Sequence, residues 1–236
     1  MFPSTYVASF EAVLFDLDGT LIDTEPSAAR AVKSCFENWG IKVSLEDAAF
    51  VTGRTWEAAL SYLFSKYTPP VSIAAATSMI LDQYRQTLKT ELIVVPGGVE
   101  AVHSIGEAYP LALVSGSHRS EIEWALGKLG ILSRFSAVLG AEDYPSSKPA
   151  PDGYLKACSL LGVDPKRCLI FEDSDAGIAS ALNAGGWVVA ITGTNHFRQN
   201  TSGAHLQIPD LSHVTRQWVA DLAVRAHGTR IAREQK

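Results

Sequence analysis

Apolar residues along this chain follow two different rhythms. The first run, Ala12-Val13-Leu14-Phe15, is continuous and stops abruptly at Asp16-Leu17-Asp18-Gly19-Thr20-Leu21. A short unbroken apolar run that ends on turn residues reads as a strand covered on both faces in a parallel sheet. From about Ser27 to Leu92 the spacing is helical, and segments are predicted at Ser27–Trp39, Leu45–Val51, Trp56–Tyr67 and Ile73–Leu88, punctuated by Gly40, Gly53 and Pro69-Pro70. Thr24, with Pro26 just inside, marks the start of the first of these helices.

At Ile93-Val94-Val95-Pro96-Gly97-Gly98 the texture changes again, and strands alternate with helices from there on. Strands are expected at Leu111–Ser115, Ala137–Leu139, Cys168–Phe171 and Trp187–Ile191, with helices near Val99–Glu107, Ser120–Leu129, Asp152–Leu161 and Ala176–Ala184. Such alternation predicts an α/β fold with a doubly wound parallel sheet. The all-helical stretch then becomes an insertion. Residues 1–24 and 93–236 form the α/β core domain, and residues 25–92 form a helical domain reached by two chain crossings rich in Pro and Gly. After His196 the pattern is hard to read.

A chain of 236 residues is long enough for a core plus such an insertion. Its net charge of −5 comes with no basic block, which argues against a nucleic-acid surface. Arg216, Arg225, Arg230, Arg233 and Lys236 are spaced out among acids and read as a solvated helix face. Cys35, Cys158 and Cys168 have neither disulfide-framework nor zinc spacing, so buried thiols in a reducing compartment are expected. Met1–Phe10 lacks the pattern of a secretory signal, and no apolar run approaches a membrane span. A cytoplasmic protein without membrane partners, monomeric or weakly dimeric, is the expectation. The histidines at 103, 196, 205, 213 and 227 form no cluster with ligand spacing.

The chemistry is expected where the strands end. Open α/β sheets bind ligands at the carboxyl ends of their strands. Asp16 and Asp18 sit there and repel each other unless a cation or proton compensates, and an Asp-x-Asp pair suits a hard, oxygen-loving ion such as Mg²⁺. The second strand candidate runs into Ser115-Gly116-Ser117 just ahead of a helix, a setting that serves either as an anion site or as an ordinary helix cap. Ser147-Lys148-Pro149-Ala150-Pro151-Asp152 offers one lysine in a loop fixed by prolines, and Phe171-Glu172-Asp173-Ser174 adds two carboxylates at another strand end. Four acids and one lysine on one edge balance only with a divalent cation and a phosphoryl group in place.

Those four stretches, in that order, resemble the four motifs of the haloacid dehalogenase superfamily over residues 10 to 195. Helical residues inserted after the first motif resemble the cap of the subfamily that includes β-phosphoglucomutase, phosphoglycolate phosphatase and sugar-phosphate phosphatases. The resemblance implies that Asp16 is a nucleophile forming an aspartyl-phosphate and that Asp18 is the general acid and base. It implies Mg²⁺ held by Asp16, Asp173, the backbone carbonyl of Asp18, and Glu172 directly or through water. Ser115, Gly116, Ser117 and Lys148 would hold the phosphoryl group. Arg54 and Trp56, in a loop resembling the specificity loop of the family, would meet the rest of a small phosphorylated metabolite, although Trp56 could equally belong to the helical core.

Phosphatase is the expected activity. A phosphosugar mutase is an alternative, as is a protein of this fold that binds phospho-ligands without turnover. Two positions separate the first two. The mutases of the subfamily carry a histidine twelve positions after the nucleophile, where this chain has Ala28. They also carry an arginine three positions after the loop glycine, where this chain has Trp56. The presence of Asp18 argues against a dehalogenase.

Overall fold

The computed structural model describes residues 9–50, 56–196 and 199–234. Six strands form one sheet: β1 (Ala12–Phe15), β2 (Leu111–Val114), β3 (Phe135–Leu139), β4 (Cys168–Glu172), β5 (Trp187–Ile191) and β6 (Leu206–Ile208). They lie in the order β3-β2-β1-β4-β5-β6, and every pairing is parallel. The doubly wound parallel sheet is therefore as expected, with the acidic β1 between β2 and β4.

The unbroken apolar runs are explained by burial on both faces. Val13, Phe15, Leu111, Leu113, Leu169 and Phe171 pack into one layer. Helices α5 (Gly98–Ile105), α6 (Arg119–Lys128) and α9 (Arg216–Glu234) contribute to it through residues such as Ile105, Ile122 and Val219. Ala12, Leu14, Ala112, Val114 and Ile170 pack into the other layer, against α7 (Asp152–Leu161) and α8 (Asp175–Ala184). The period-2 alternation of a strand assigns neighbours to opposite layers, so β1 and β2, buried at every position, are apolar throughout. The three cysteines are buried free thiols.

Two elements lie in the stretch that was hard to read. β6 is three residues long, half-exposed, and placed by pairing with β5. Arg216, Arg225, Arg230 and Arg233 belong to α9, whose Val219, Leu222 and Ala223 join the core, and Lys236 lies outside the described residues. No helix among the described residues is long and apolar enough to cross a membrane.

Between β1 and α5 lie α1 (Glu25–Asn38), α2 (Leu45–Ala49), α3 (Trp56–Lys66) and α4 (Ile73–Thr90). Their apolar faces meet in a cluster of their own, with Val32, Phe36, Leu60, Leu63 and Ile80 at its centre. The two chain crossings run side by side. Asp23 N donates to Ile93 O at 2.9 Å, Val95 N donates to Leu21 O at 3.0 Å, and Ile22 bridges Val94 in antiparallel fashion. A second link joins the helical unit to the sheet layers, the Arg85–Glu121 ion pair at 2.7 Å.

Inside the helical unit one carboxylate organises several segments. Asp47 on α2 accepts from Ser44 Oγ (2.8 Å), Tyr62 Oη (2.7 Å), Tyr67 Oη (2.7 Å) and Lys66 Nζ (2.5 Å). These hydrogen bonds, with Lys66 first, hold the Asp47 carboxyl well below the usual carboxylate range. A depressed pKa contributes stability that is present above the unfolded value, near 3.9, and is lost as pH falls toward the folded value. Asp47→Asn is therefore expected to lower Tm at pH 7, and the gap from wild type should close as pH falls below about 4. Thermal melts across pH check this. A gap constant down to pH 2 would mean that the charge on Asp47 is not what matters.

Candidate active site

The end of β1 is a turn built for close approach. Gly19 has φ +86°, and a Cβ at that position would lie 2.0 Å from Asp173 Oδ2. Only glycine tolerates both conditions. Thr194 Oγ1 donates to Gly19 O at 2.6 Å and ties the turn to the loop after β5. Asp16 and Asp173, from neighbouring strand ends, are thus brought together with both residues 5% exposed.

Lys148 lies between two of the acids. Its Nζ is 2.5 Å from Asp16 Oδ1, 2.5 Å from Glu172 Oε1 and 3.2 Å from Val114 O. The loop that carries it is pinned by α8, where Ser180 Oγ donates to Ala150 O and Asn183 Nδ2 to Pro149 O. Glu172 is fully buried. Its Oε1 also accepts from Tyr154 Oη at 2.7 Å, and its Oε2 accepts from Asp173 N, Ser174 N and Ser174 Oγ. Both oxygens are thus engaged within the protein. The geometry makes Glu172 an anchor for Lys148, in addition to any contact with an ion.

Asp18 sits differently. Its Oδ2 accepts from Ser115 Oγ at 3.1 Å and from Ser117 Oγ at 2.9 Å. The serines therefore do not cap α6, whose N-cap is His118. A cleft of about 520 Å³ opens over this edge and is lined by Asp16, Asp18, Gly116, Ser117, Lys148 and Asp173, among others. Trp56 lines it too, while its ring also packs 5.9 Å from that of Tyr84, so it belongs both to the helical core and to the cleft wall. Arg54 lies outside the described residues. Ala28 is buried in the helical cluster.

Charge in this cluster is unbalanced. Burial pushes the Asp16 carboxyl up to about 8 against the pull of Lys148, and the charges of Glu172 and Asp18 add to the rise. Burial first, and then Asp16 and Glu172, push Asp173 well above the carboxylate range. Burial alone would lower Lys148, but Asp16 and Glu172 outweigh it and hold its pKa well above the usual value. Asp16, Glu172 and Asp173 each offer an oxygen, all within 4.8 Å of one another. Three acids facing one lysine, with oxygen as the only donor, fit a hard divalent cation, whose charge would reverse these shifts. Asp18 is outside that trio.

Two contributors had no sequence signal. Tyr154 reads as an ordinary apolar-face helix residue, yet it satisfies Glu172. Glu25 opens α1 and is only 5% exposed on the cleft wall. Burial raises its carboxyl to about 7, with His196 opposing and Asp23 adding to the shift. His196, left without a role by spacing, pairs with Asp23 at 2.8 Å.

Residues 13–191 match the family model described as haloacid dehalogenase-like hydrolase. The chain is 31% identical over 211 residues to validoxylamine A 7'-phosphate phosphatase of Streptomyces hygroscopicus subsp. limoneus, covering 87% of this chain and 96% of that protein. It is 31% identical over 184 residues to a fructose-1-phosphate phosphatase of Escherichia coli, covering 75% and 93%. Among solved structures, β-phosphoglucomutase from Clostridium difficile superposes with a TM-score of 0.74 at 21% identity, covering 93% of this chain and 99% of that one. At that identity the likeness is one of fold.

Lys148 neutralises two buried carboxylates, so Lys148→Met should cost about 3–5 kcal/mol of stability without added metal. Adding Glu172→Gln removes one stranded charge, so the double variant should lose clearly less than the sum of the singles. Urea unfolding in EDTA measures both. Additive losses would show that the lysine does not serve that carboxylate.

Proposed function

The chain belongs to the haloacid dehalogenase-like hydrolases, and we propose that it is a Mg²⁺-dependent phosphatase that hydrolyses a small sugar or polyol phosphate through an aspartyl-phosphate on Asp16. One observation carries the reading. Asp16 and Asp18 are two residues apart, yet Asp16 lies in a buried cluster with Lys148, Glu172 and Asp173, while Asp18 is held by two hydroxyls at the cleft. Two carboxylates in contrasting surroundings are the usual arrangement for dividing nucleophile from acid–base work.

In this reading the Asp16 carboxylate attacks phosphorus and the bond to the leaving oxygen breaks. Asp18 gives its proton to that oxygen. Asp18 then takes a proton from water as the water attacks phosphorus, and Asp16 leaves with phosphate released. Lys148, the hydroxyls of Ser115 and Ser117, and the backbone at Gly116 hold the transferring group, since positioning and charge are most of what phosphoryl transfer requires. Mg²⁺, held by Asp16, Asp173 and the Asp18 carbonyl with Glu172 nearby, would supply positive charge for the phosphoryl oxygens. In this reading residues 25–92 are a cap to the core made of 1–24 and 93–236, Trp56 on the cleft wall meets the rest of the substrate, and Arg54 would do the same. The sugar-phosphate class is suggested by the names of the relatives.

Asp16→Asn is expected to reduce Mg²⁺-dependent release of phosphate by at least about a thousandfold while leaving the fold intact. Near-normal turnover by that variant would remove the nucleophile from the scheme.

Hydrolysis is favoured over mutase chemistry because Ala28 packs within the helical cluster and offers no titratable group to gate Asp18. A hexose 1-phosphate, where accepted, should give free sugar and phosphate. Phosphorus NMR distinguishes the outcomes, and build-up of the 6-phosphate under a bisphosphate primer would replace phosphatase with mutase.

A further inference from the structure

Two cavities meet at Asp18. The first is the cleft of about 520 Å³ that holds Asp16, Lys148 and Asp173. The second is a chamber of about 380 Å³ between α4 of the helical unit and α6 of the core. Asp18 and Ser117 line both cavities. Both residues are only partly buried, so a ligand can reach them.

The walls of the chamber follow from helical spacing. Tyr84 and Leu88 lie one turn apart on α4, and Glu121 and Trp124 lie one turn apart on α6, so each pair shares a face. Tyr84, Leu88 and Trp124 are partly buried and keep surface open to a ligand. The Tyr84 ring also packs 5.9 Å from that of Trp56, a residue of the cleft wall, so aromatic surface continues from the cleft into the chamber. The charged residues of the lining are engaged or face solvent. Arg85 pairs with Glu121 at 2.7 Å, His118 lies 3.5 Å from Glu142, and Lys89 is exposed. What remains for a ligand is mainly aromatic and aliphatic surface with polar groups at its edge, the usual make-up of a small-molecule site.

The role of Asp18 decides what belongs there. In the phosphatase reading, Asp16 and Lys148 hold the phosphoryl group in the cleft, and Asp18 gives a proton to the bridging oxygen. That oxygen joins phosphorus on one side to the carbon of the leaving group on the other. Asp18 is held from the β2 side by Ser115 and Ser117, and α6 follows β2 directly. With phosphorus on the Asp16 side of Asp18, the carbon extends toward α6 and into the chamber.

We propose that the leaving group occupies this chamber, that Tyr84, Leu88 and Trp124 are its specificity-determining walls, and that the preferred substrate is a phosphomonoester whose alcohol carries a ring with an apolar face. This rests on the phosphatase reading and narrows the sugar or polyol class to its ring-bearing members. A ring buries its C–H face against aromatic side chains at little cost in conformational freedom, whereas an acyclic polyol must be ordered and leaves hydroxyls facing apolar walls.

Cyclohexylmethyl phosphate and glycerol 3-phosphate are both primary alkyl esters, so the breaking bond is alike and only the leaving group differs. The test measures kcat/KM for each, at saturating Mg²⁺, in wild type and in Ser120→Trp. That substitution puts an indole into the chamber from an exposed position in the first turn of α6. Wild type is expected to favour the ring ester by about tenfold or more, and the ratio should fall by about tenfold in Ser120→Trp. Leu88→Trp fills the chamber from α4 and should act in the same way, which keeps the test open if one variant does not fold. A wild type without preference for the ring ester, or a ratio that neither substitution moves, would overturn the inference. Failure of wild type to hydrolyse these two esters or p-nitrophenyl phosphate would defeat the phosphatase reading instead. Calorimetric binding of cyclohexylmethyl phosphate then decides the role of the chamber: weaker binding to Ser120→Trp than to wild type supports it, and equal affinity or no binding to either overturns it.

Discussion

The site depends on how a parallel sheet can tolerate so much negative charge at its buried edge. Lys148 makes contacts of 2.5 Å to Asp16 and to Glu172, which come from adjacent strands, and it is the cation that the protein itself supplies there. Other features serve this contact. Prolines and α8 fix the loop of Lys148, Tyr154 donates to the same Glu172 oxygen that Lys148 contacts, and Gly19 lets Asp173 approach the β1 turn. Even so, three acids face one lysine, and the raised pKa values of Asp16 and Asp173 express what remains uncompensated. A cluster left short of positive charge is costly to fold and is retained where a ligand completes it.

Much of this was legible in the chain because burial on both faces leaves a plain signature. β5 and α7 fall at the expected residues, and β1, β2 and β4 end within one residue of where their apolar runs stop. β3 begins two residues earlier than expected, since Phe135 and Ser136 lie at a sheet edge where the apolar run is interrupted. β6 left no trace because three half-exposed residues carry too little pattern and its place is set by β5. α9 was obscured by charged positions that mask the short apolar stripe of Val219, Leu222 and Ala223.

The site was legible to the extent that its residues follow strands. Asp16, Asp18, Ser115, Glu172 and Asp173 all sit at strand ends, so locating the strands located them. Lys148 was marked by its prolines. Tyr154 and Glu25 sit on helices, where an aromatic on an apolar face or an acid in the first turn already has an ordinary explanation. Only three-dimensional accounting of hydrogen bonds separates them from their neighbours. Ser115 and Ser117 had the opposite problem, since a capping role was available in sequence and their hydroxyls instead turn to Asp18.

That last contact shows how one strand end comes to hold two carboxylates in different surroundings. β1 lies between β2 and β4. The end of β4 supplies Glu172 and Asp173, and with Lys148 these surround Asp16 with charge. The end of β2 supplies the hydroxyls that hold Asp18. The tripeptide Asp16-Leu17-Asp18 has no local means of making its two carboxylates different. The difference comes from strand order, because a chain leaving the sheet between two unlike neighbours gives one aspartate to each. A sheet without β2 and β4 on opposite sides of β1 would not surround the two carboxylates so differently. The crossover topology is therefore part of the chemistry of the site.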